Sequence, residues 1–298
     1  MLLITGATGF IGASLIRDLS QRTVPLRALL QPTKTSPSLP KNVPIEIAVA
    51  SMSDERGLRA ALKGIDTVIH LTTGEKAGIQ SNFEHEDVEG TELLLKAAAE
   101  ANVSRIFFLS HIGAEKSSAF GYLRAKAYIE EQIQASKLAH TILRTSLVFG
   151  PHDGFTEHFR NKLYRNPFFM IMPGDGNAFV QPLWIDDLLT CLRLCLHDDA
   201  YIGKTITIGG GEFFSLKTIL QMIMQKVGFH RALIPLAPSY IRAMLLWLGE
   251  SQRGFLPTSF WLDYFSADRS CRLDSLPHHF GILPARFNNN LDYLRSLK

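Results

Sequence analysis

A chain of 298 residues with 46% hydrophobic and 20% charged side chains is long enough for one large domain or two modest ones, with the composition of an ordinary globular protein. Its formal net charge of +3 is too small to indicate nucleic acid or an acidic membrane as partner. Three cysteines, an odd number, make no disulfide framework; Cys191 and Cys195 share a helix face without Cys or His partners at metal-ligand spacing, which reads as buried thiols in a reducing compartment.

The chain opens on MLLITGATGFIG, a short apolar run followed by Gly6, Gly9 and Gly12. These glycines come too early to leave room for a charged leader, so the expected localisation is cytoplasmic. Further along, PLRALL, IEIAVA, TVIHLT, RIFFLS and TILRTSLVF are continuous apolar runs, the pattern of strands buried on both faces. The proline-spaced QPTKTSPSLPKNVP between the second and third runs reads as a loop. The longest helical pattern is SNFEHEDVEGTELLLKAAAEA, with Ser81 and Glu84 placed as a capping box. Strand and helix in alternation predict an α/β fold built on a doubly wound parallel sheet.

Past residue 150 the rhythm changes: the glycine-rich turns GPHDG, PGDGN and IGGGE separate shorter elements. WIDDLLTCLRLCL and KTITIG are expected to return to the sheet. The expected division is therefore 1–150 plus about 183–210 for the sheet domain, and 151–182 plus 211–298 for a smaller C-terminal lobe that takes the substrate. A cleft between them is the default place for a ligand. The late apolar stretch ALIPLAPSYIRAMLLWLG is broken by two prolines and Arg242, so no integral membrane segment is expected. Its aromatic and methionine side chains read as packing of the smaller lobe, with an apolar lid or membrane-surface face as the alternative.

Strand, glycine turn and helix in succession give the glycines a chemical reading. Gly6 permits a sharp turn, Gly9 lets a pyrophosphate touch the backbone, and Gly12 lets the first helix pack close to the strand; the helix N-terminus supplies N–H groups to the phosphates. TGATGFIG as a whole resembles the extended and atypical short-chain dehydrogenase/reductases, a Rossmann-fold family. Val68-Ile69-His70-Leu71, Val88-Glu89-Gly90-Thr91, Tyr122-x-x-x-Lys126, LRTSLVFGP and WIDDL follow in the order the family shows them, over residues 1–190. Within it, SHIGA followed by GYLRAK is most similar to the NAD(P)H-binding accessory subunit of respiratory complex I and its bacterial relatives.

The resemblance implies a dinucleotide held by Gly6, Thr8, Gly9, Phe10, Ile11 and Gly12, then by Gln31, Lys34, Ser51, Met52, Leu71, Thr72 and Thr73, and finally by Lys126, Thr145, Ser146 and Leu147. An NAD site usually places a carboxylate on the ribose hydroxyls about 20 residues past the glycines. Here no carboxylate lies between Asp18 and Glu46, while Lys34, Thr33 and Arg27 are at hand for a 2′-phosphate, so NADP(H) is favoured over NAD(H). The family's adenine-contacting Asp is replaced by Ser51 or Met52.

Tyr122 and Lys126, four apart, lie on one helix face. The resemblance makes the tyrosine the acid/base and the lysine its orienting cation. Bringing a phenol down by about three units from ~10 takes roughly 4 kcal/mol, which one cation at ~4 Å supplies at an effective dielectric near 20. The family's third member is a Ser or Thr, second in a polar pair; here the pair is Ser110-His111, so histidine holds the serine position, and either residue is a candidate contact to substrate oxygen. His152 and Asp153 read as a solvated pair on a loop, with substrate contact the alternative. The expectation is an NAD(P)-dependent oxidoreductase acting on a small carbonyl or alcohol. Its rivals are a non-catalytic dinucleotide-binding protein (a redox sensor or assembly subunit) and a nucleotide-sugar epimerase. No metal is expected; a homodimer or larger assembly stays open.

Overall fold

The computed structural model describes residues 1–32, 39–41, 43–71, 83–248 and 259–295, with the backbone alone at 83–86 and 248. The chain forms two compact units, Met1–Arg144 with Leu189–Thr207, and Thr145–Leu188 with Ile208–Lys298.

The first unit alternates strand and helix: β1 (Leu2–Thr5), α1 (Phe10–Ser20), β2 (Leu26–Leu30), β3 (Glu46–Val49), α2 (Glu55–Leu62), β4 (Thr67–His70), α3 (Phe83–Glu100), β5 (Arg105–His111), α4 (Gly121–Ala135) and β6 (Ala139–Thr145). The apolar runs behave as their residues dictate. Leu15, Ile16 and Leu19 bury one face of α1, and Leu58, Ala61 and Leu62 one face of α2. With β11 (Lys204–Ile208) these strands form a seven-stranded parallel sheet in the order β11-β6-β5-β4-β1-β2-β3. KTITIG thus joins the sheet at its β6 edge. Leu3, Val68, Ile106 and Ile142, one from each of four adjacent strands, lie in a single core with Leu94, Ala98 and Ile129 of the covering helices.

Two strand expectations change. IEIAVA is an edge strand and not a buried one: β3 pairs only with β2 among the described strands, leaving Ile47 and Val49 exposed. TILRTSLVF is two strands. After β6 the chain leaves the sheet, and β7 (Val148–Phe149) pairs with β10 (Leu183–Trp184) in the second unit. The Ser81–Glu84 capping box lies outside the described side chains, as does half of the proline-spaced loop.

The second unit holds α5 (Thr156–Arg165), β8 (Phe169–Pro173), β9 (Phe179–Val180), the start of α6 (Ile185–His197), β12 (Phe214–Ser215), α7 (Leu216–Val227), β13 (Ala232–Leu236), α8 (Pro238–Leu248), α9 (Ser259–Tyr264) and α10 (Ser275–Phe280). Its small sheets pair β13 with β8 in parallel and β12 with β9 antiparallel. Ser215 caps α7 by accepting from the Thr218 N–H at 3.2 Å, and Gly228 ends it in the left-handed conformation. On α8 only one face packs: Ile241 and Leu245 are buried, but Trp247 is 86% exposed, so the expectation that this tryptophan fills the lobe is wrong. No described helix is long and apolar enough to cross a membrane.

Candidate functional site

Strand order reverses between β1 and β4, whose carboxyl ends lie side by side with Thr5 opposite His70. In open α/β sheets this is where ligands bind. The glycine turn follows β1 directly. Gly6 has φ of 67°, a conformation that favours glycine, and its carbonyl accepts the Gly9 N–H at 3.0 Å. A Cβ on Gly12 would come within 2.3 Å of the Gly6 carbonyl oxygen, so α1 packs on the turn only because that side chain is missing. A Cβ on Gly9 would stand 3.2 Å from the same carbonyl oxygen, a tight contact but a smaller conflict than at Gly12. The protein's own packing therefore asks less of Gly9 than of Gly12, and close approach of a ligand gives a second reason for glycine there.

Gly9 caps α1 without a side chain, and no acidic residue lies in the first turn. The leading N–H groups of the helix thus face outward with a partial positive charge, the arrangement that fits a pyrophosphate. Thr8 is exposed beside them, with Phe10 and Ile11 half-buried.

Beneath the turn runs a closed chain of hydrogen bonds. The Leu71 N–H donates to Thr5 Oγ1 at 3.1 Å, and Thr5 Oγ1 lies 2.8 Å from His70 Nδ1. His70 Nε2 lies 3.1 Å from Thr91 Oγ1, whose hydroxyl donates to the Asp87 carbonyl at 2.7 Å. Because Thr91 gives its proton to a carbonyl, it can only accept from His70, so Nε2 carries the imidazole proton and Nδ1 accepts from Thr5. Burial, with the Lys126 cation second, pushes the His70 pKa down to about 3.

Helix α4 presents a polar stripe to the sheet: Tyr122, Lys126 and Glu130, at successive four-residue steps, are all buried. Each meets β5. The Tyr122 ring stands edge-on to His111 with centroids 5.9 Å apart. Lys126 Nζ donates to the Leu109 carbonyl at 2.9 Å and lies 5.5 Å from the Tyr122 ring centre. Glu130 accepts the Ser110 hydroxyl proton and is gripped by Arg144 through Nε at 2.9 Å and Nη2 at 2.6 Å.

The two candidates for contact to substrate oxygen therefore differ. Ser110 has one hydroxyl proton and gives it to Glu130, which removes it as a donor. His111 Nδ1 lies 2.8 Å from the Ile112 carbonyl and must donate to it, which makes Nε2 the proton-accepting nitrogen of the neutral ring.

Other expected contacts are placed as follows. Gln31 is exposed just past β2, and the Ser51 hydroxyl, beyond β3, accepts the Ser53 N–H at 3.2 Å. Met52 packs on the sheet core, where a Cβ on Gly90 would meet it at 2.7 Å. Thr33, Lys34, Thr72 and Thr73 lie outside the described residues. Arg27 is no candidate for a 2′-phosphate: it binds Glu46 at 2.7 Å and the Ala61 and Lys63 carbonyls. Thr145, Ser146 and Leu147 begin the second unit and are buried; the Ser146 hydroxyl donates to the Gln181 carbonyl and its N–H to Ile208. Asp153 is not solvated but buried, accepting the Phe155 and Thr156 N–H groups at the start of α5 at 3.0 and 2.7 Å. Among the described residues no His, Cys and acid group could hold a metal.

Sequence reasoning passed over Glu130, Thr5 and Thr91. A signal existed for Glu130: it continues the Tyr122–Lys126 spacing by one more turn, inside an otherwise apolar face. Thr5 and Thr91 stand inside the motifs TGATGFIG and Val88-Glu89-Gly90-Thr91, but neither motif says that they hold His70.

Glycine turn, uncapped helix and reversed strand order together define a Rossmann-type dinucleotide-binding protein. A family model described as NAD(P)H-binding matches residues 6–154, and the chain belongs to that family. The mitochondrial subunit 9 of the NADH dehydrogenase [ubiquinone] 1 alpha subcomplex of Mus musculus is 26% identical over 282 residues, 92% of this chain and 72% of its own length. The chain spans 65% of the rat and 57% of the Arabidopsis thaliana subunit. Sterol demethylase protein B of Methylococcus capsulatus is 26% identical over 280 residues, 86% of this chain and 83% of that protein. In structure, the dTDP-glucose 4,6-dehydratase DesIV of Streptomyces venezuelae, solved with NAD and TYD bound, superposes with a TM-score of 0.75 over 99% of this chain and 95% of its own at 19% identity, a likeness of fold.

Proposed function

We propose that this protein is an oxidoreductase that binds NADP(H) in preference to NAD(H) and acts on a small carbonyl or alcohol. The observation that carries the reading is the cluster of Tyr122, Lys126 and His111 at the carboxyl end of β5. Gly6, Thr8, Gly9, Phe10, Ile11 and Gly12 would hold the pyrophosphate, and Lys126 the nicotinamide ribose. The absence of a carboxylate between Asp18 and Glu46 favours the 2′-phosphate. Bound there, the nicotinamide supplies or takes up the hydride.

The residues of the chain handle the proton. Tyr122 Oη donates it to the substrate oxygen in reduction and takes it back in oxidation. Lys126, buried and fixed on the Leu109 carbonyl, holds a cation 5.5 Å from the phenol ring. A cation so placed favours the phenolate over the phenol. His111 would donate to the substrate oxygen through a protonated Nε2.

A second reading is a dinucleotide-binding component without turnover. Two observations favour it: the hydroxyl of Ser110 is already taken by Glu130, and a relative is a subunit of NADH dehydrogenase. Tyr122→Phe separates the readings. With NADPH and a panel of aldehydes, ketones and quinones, the proposal expects turnover to fall at least ~10²-fold at unchanged NADPH affinity. Equal turnover in both proteins, or an inert wild type that holds cofactor, rejects it.

A further inference from the structure

The second unit buries a cation that pairs with no acid among the described residues. Two other arginines are buried to the same degree, and each has an acid: Arg105 Nη1 lies 3.5 Å from Asp199, and Arg160 lies 3.7 Å from Glu157. Arg269, 7% exposed, has no ion pair among the described residues, and its Nε is sealed from solvent without a hydrogen-bond partner. The acid beside it in the chain makes no ion pair with it: Asp268 Oδ1 accepts the Phe179 N–H at 2.8 Å, and its charge acts on the guanidinium only from a distance. What the guanidinium does meet is the ring of Tyr264, 5.9 Å from its centre. Burial pushes its pKa down, with Tyr264 and Asp268 opposing weakly.

A long cationic side chain ordinarily escapes such a position by snorkelling to water. Here the backbone is held on both sides. The Arg269 N–H donates to the Phe179 carbonyl at 2.8 Å, forming a bridge to Val180, and the Cys271 N–H donates to Gln181 Oε1 at 2.8 Å. Gln181 is itself fixed, its Nε2 donating to the Gly210 carbonyl at 2.5 Å. The fold thus holds a guanidinium in a buried place at a cost in desolvation that no ion pair among the described residues offsets.

We infer that Arg269 anchors an oxyanion-binding site in the second unit, taking the phosphate or carboxylate end of a small molecule. The guanidinium fork matches both groups in two-point geometry. With the residue so little exposed, the oxyanion must be the tip of a small ligand and not part of a broad surface. The site belongs to the second unit alone and does not depend on the oxidoreductase reading.

The test is calorimetric titration of the full chain with pyrophosphate and, separately, with succinate, at constant ionic strength and with NADPH saturating. Gly9→Val, which removes the phosphate cradle of the first unit, is titrated in parallel, so that failure of the dinucleotide reading shows separately. Wild type and Gly9→Val are expected to bind one of the two anions saturably, and which one they bind names the oxyanion. Arg269→Met should weaken that binding ~10-fold or more, and Arg269→Lys, which keeps the charge and loses the fork, should weaken it less. The ligand-free Arg269→Met protein should melt no lower than wild type, because an unpaired buried charge is gone; an arginine kept for stability alone would give a lower midpoint. Should Arg269→Met fail to fold, the stability expectation is refuted, and Arg269→Lys decides the binding. Saturable binding of neither anion by wild type, or unchanged affinity in the Arg269 variants, overturns the inference.

Discussion

Thr5 and His70, opposite one another at the carboxyl ends of β1 and β4, are joined by a 2.8 Å hydrogen bond that leaves His70 Nδ1 no room for a proton. Thr91 fixes the other ring nitrogen as the donor. The imidazole is a neutral spacer that clamps the two strands at the point where the sheet order reverses.

Acid should therefore loosen the first unit. The folded-state pKa of His70 is about 3, against ~6.5 for an unfolded histidine. A depressed value means that the stabilisation is complete above pH ~6.5 and is lost as pH falls toward 3. His158 of the second unit, pushed down to about 3 chiefly by burial, adds a second proton in the same window to the unfolding of the whole chain. Each should contribute a slope near 1.4 kcal/mol per pH unit there. Urea unfolding of wild type and His70→Asn between pH 7 and pH 4 measures it. The variant should lose one proton's worth of slope, and an unchanged slope would show that His70 titrates normally.

The three glycines should separate by function. Gly12→Ala forces a Cβ against the Gly6 backbone and should cost ~1–3 kcal/mol or more in unfolding free energy. Gly9→Val should lower the thermal midpoint less than Gly12→Ala does and should abolish NADPH binding. Retained NADPH affinity in Gly9→Val would place the cofactor elsewhere.

The buried pair of Glu130 and Arg144 predicts a stability effect without a substrate. Glu130→Ala strands the half-buried guanidinium and the Ser110 hydroxyl together, and should destabilise toward the low end of the ~3–5 kcal/mol seen when one partner of a buried pair is removed. A double-mutant cycle with Arg144→Met should show strong non-additivity. Additive losses would mean the contact carries little.

Much of this arrangement can be read from residue order. Gly6, Gly9 and Gly12 behind an apolar run specify strand, turn and helix, and the four-residue step from Tyr122 to Lys126 specifies a shared helix face, because both patterns are local. The parts that escape are those set by partners distant in the chain. Val49 looks like a buried strand residue until β3 is known to be an edge, and Leu147 looks like a strand interior until Leu183 takes its carbonyl at 2.8 Å. Asp153 reads as solvated because the start of α5 that it caps is not evident without a periodic apolar face. Ser110 reads as a donor to substrate because Glu130, twenty positions on, has no sequence mark that it will accept that proton.

Cofactor choice should follow from the missing carboxylate after β2. Titration with NADPH and NADH is expected to give tighter binding of NADPH. Introducing the carboxylate as Gln31→Asp should shift the preference toward NADH, by charge repulsion of the 2′-phosphate and hydrogen bonding to the free ribose hydroxyls. A wild type that prefers NADH, with no change in Gln31→Asp, would contradict it.

The central claim, that the Tyr122 cluster serves hydride transfer, is tested most directly by isotope. NADPH deuterated at the transferring carbon is incubated with the carbonyl panel, and the alcohol products are analysed by mass spectrometry for wild type and Tyr122→Phe. Wild type should give one deuterium per product molecule, formed at least ~10²-fold more slowly by the variant. Wild-type protein that binds the labelled cofactor and yields no deuterated product from any carbonyl would contradict it.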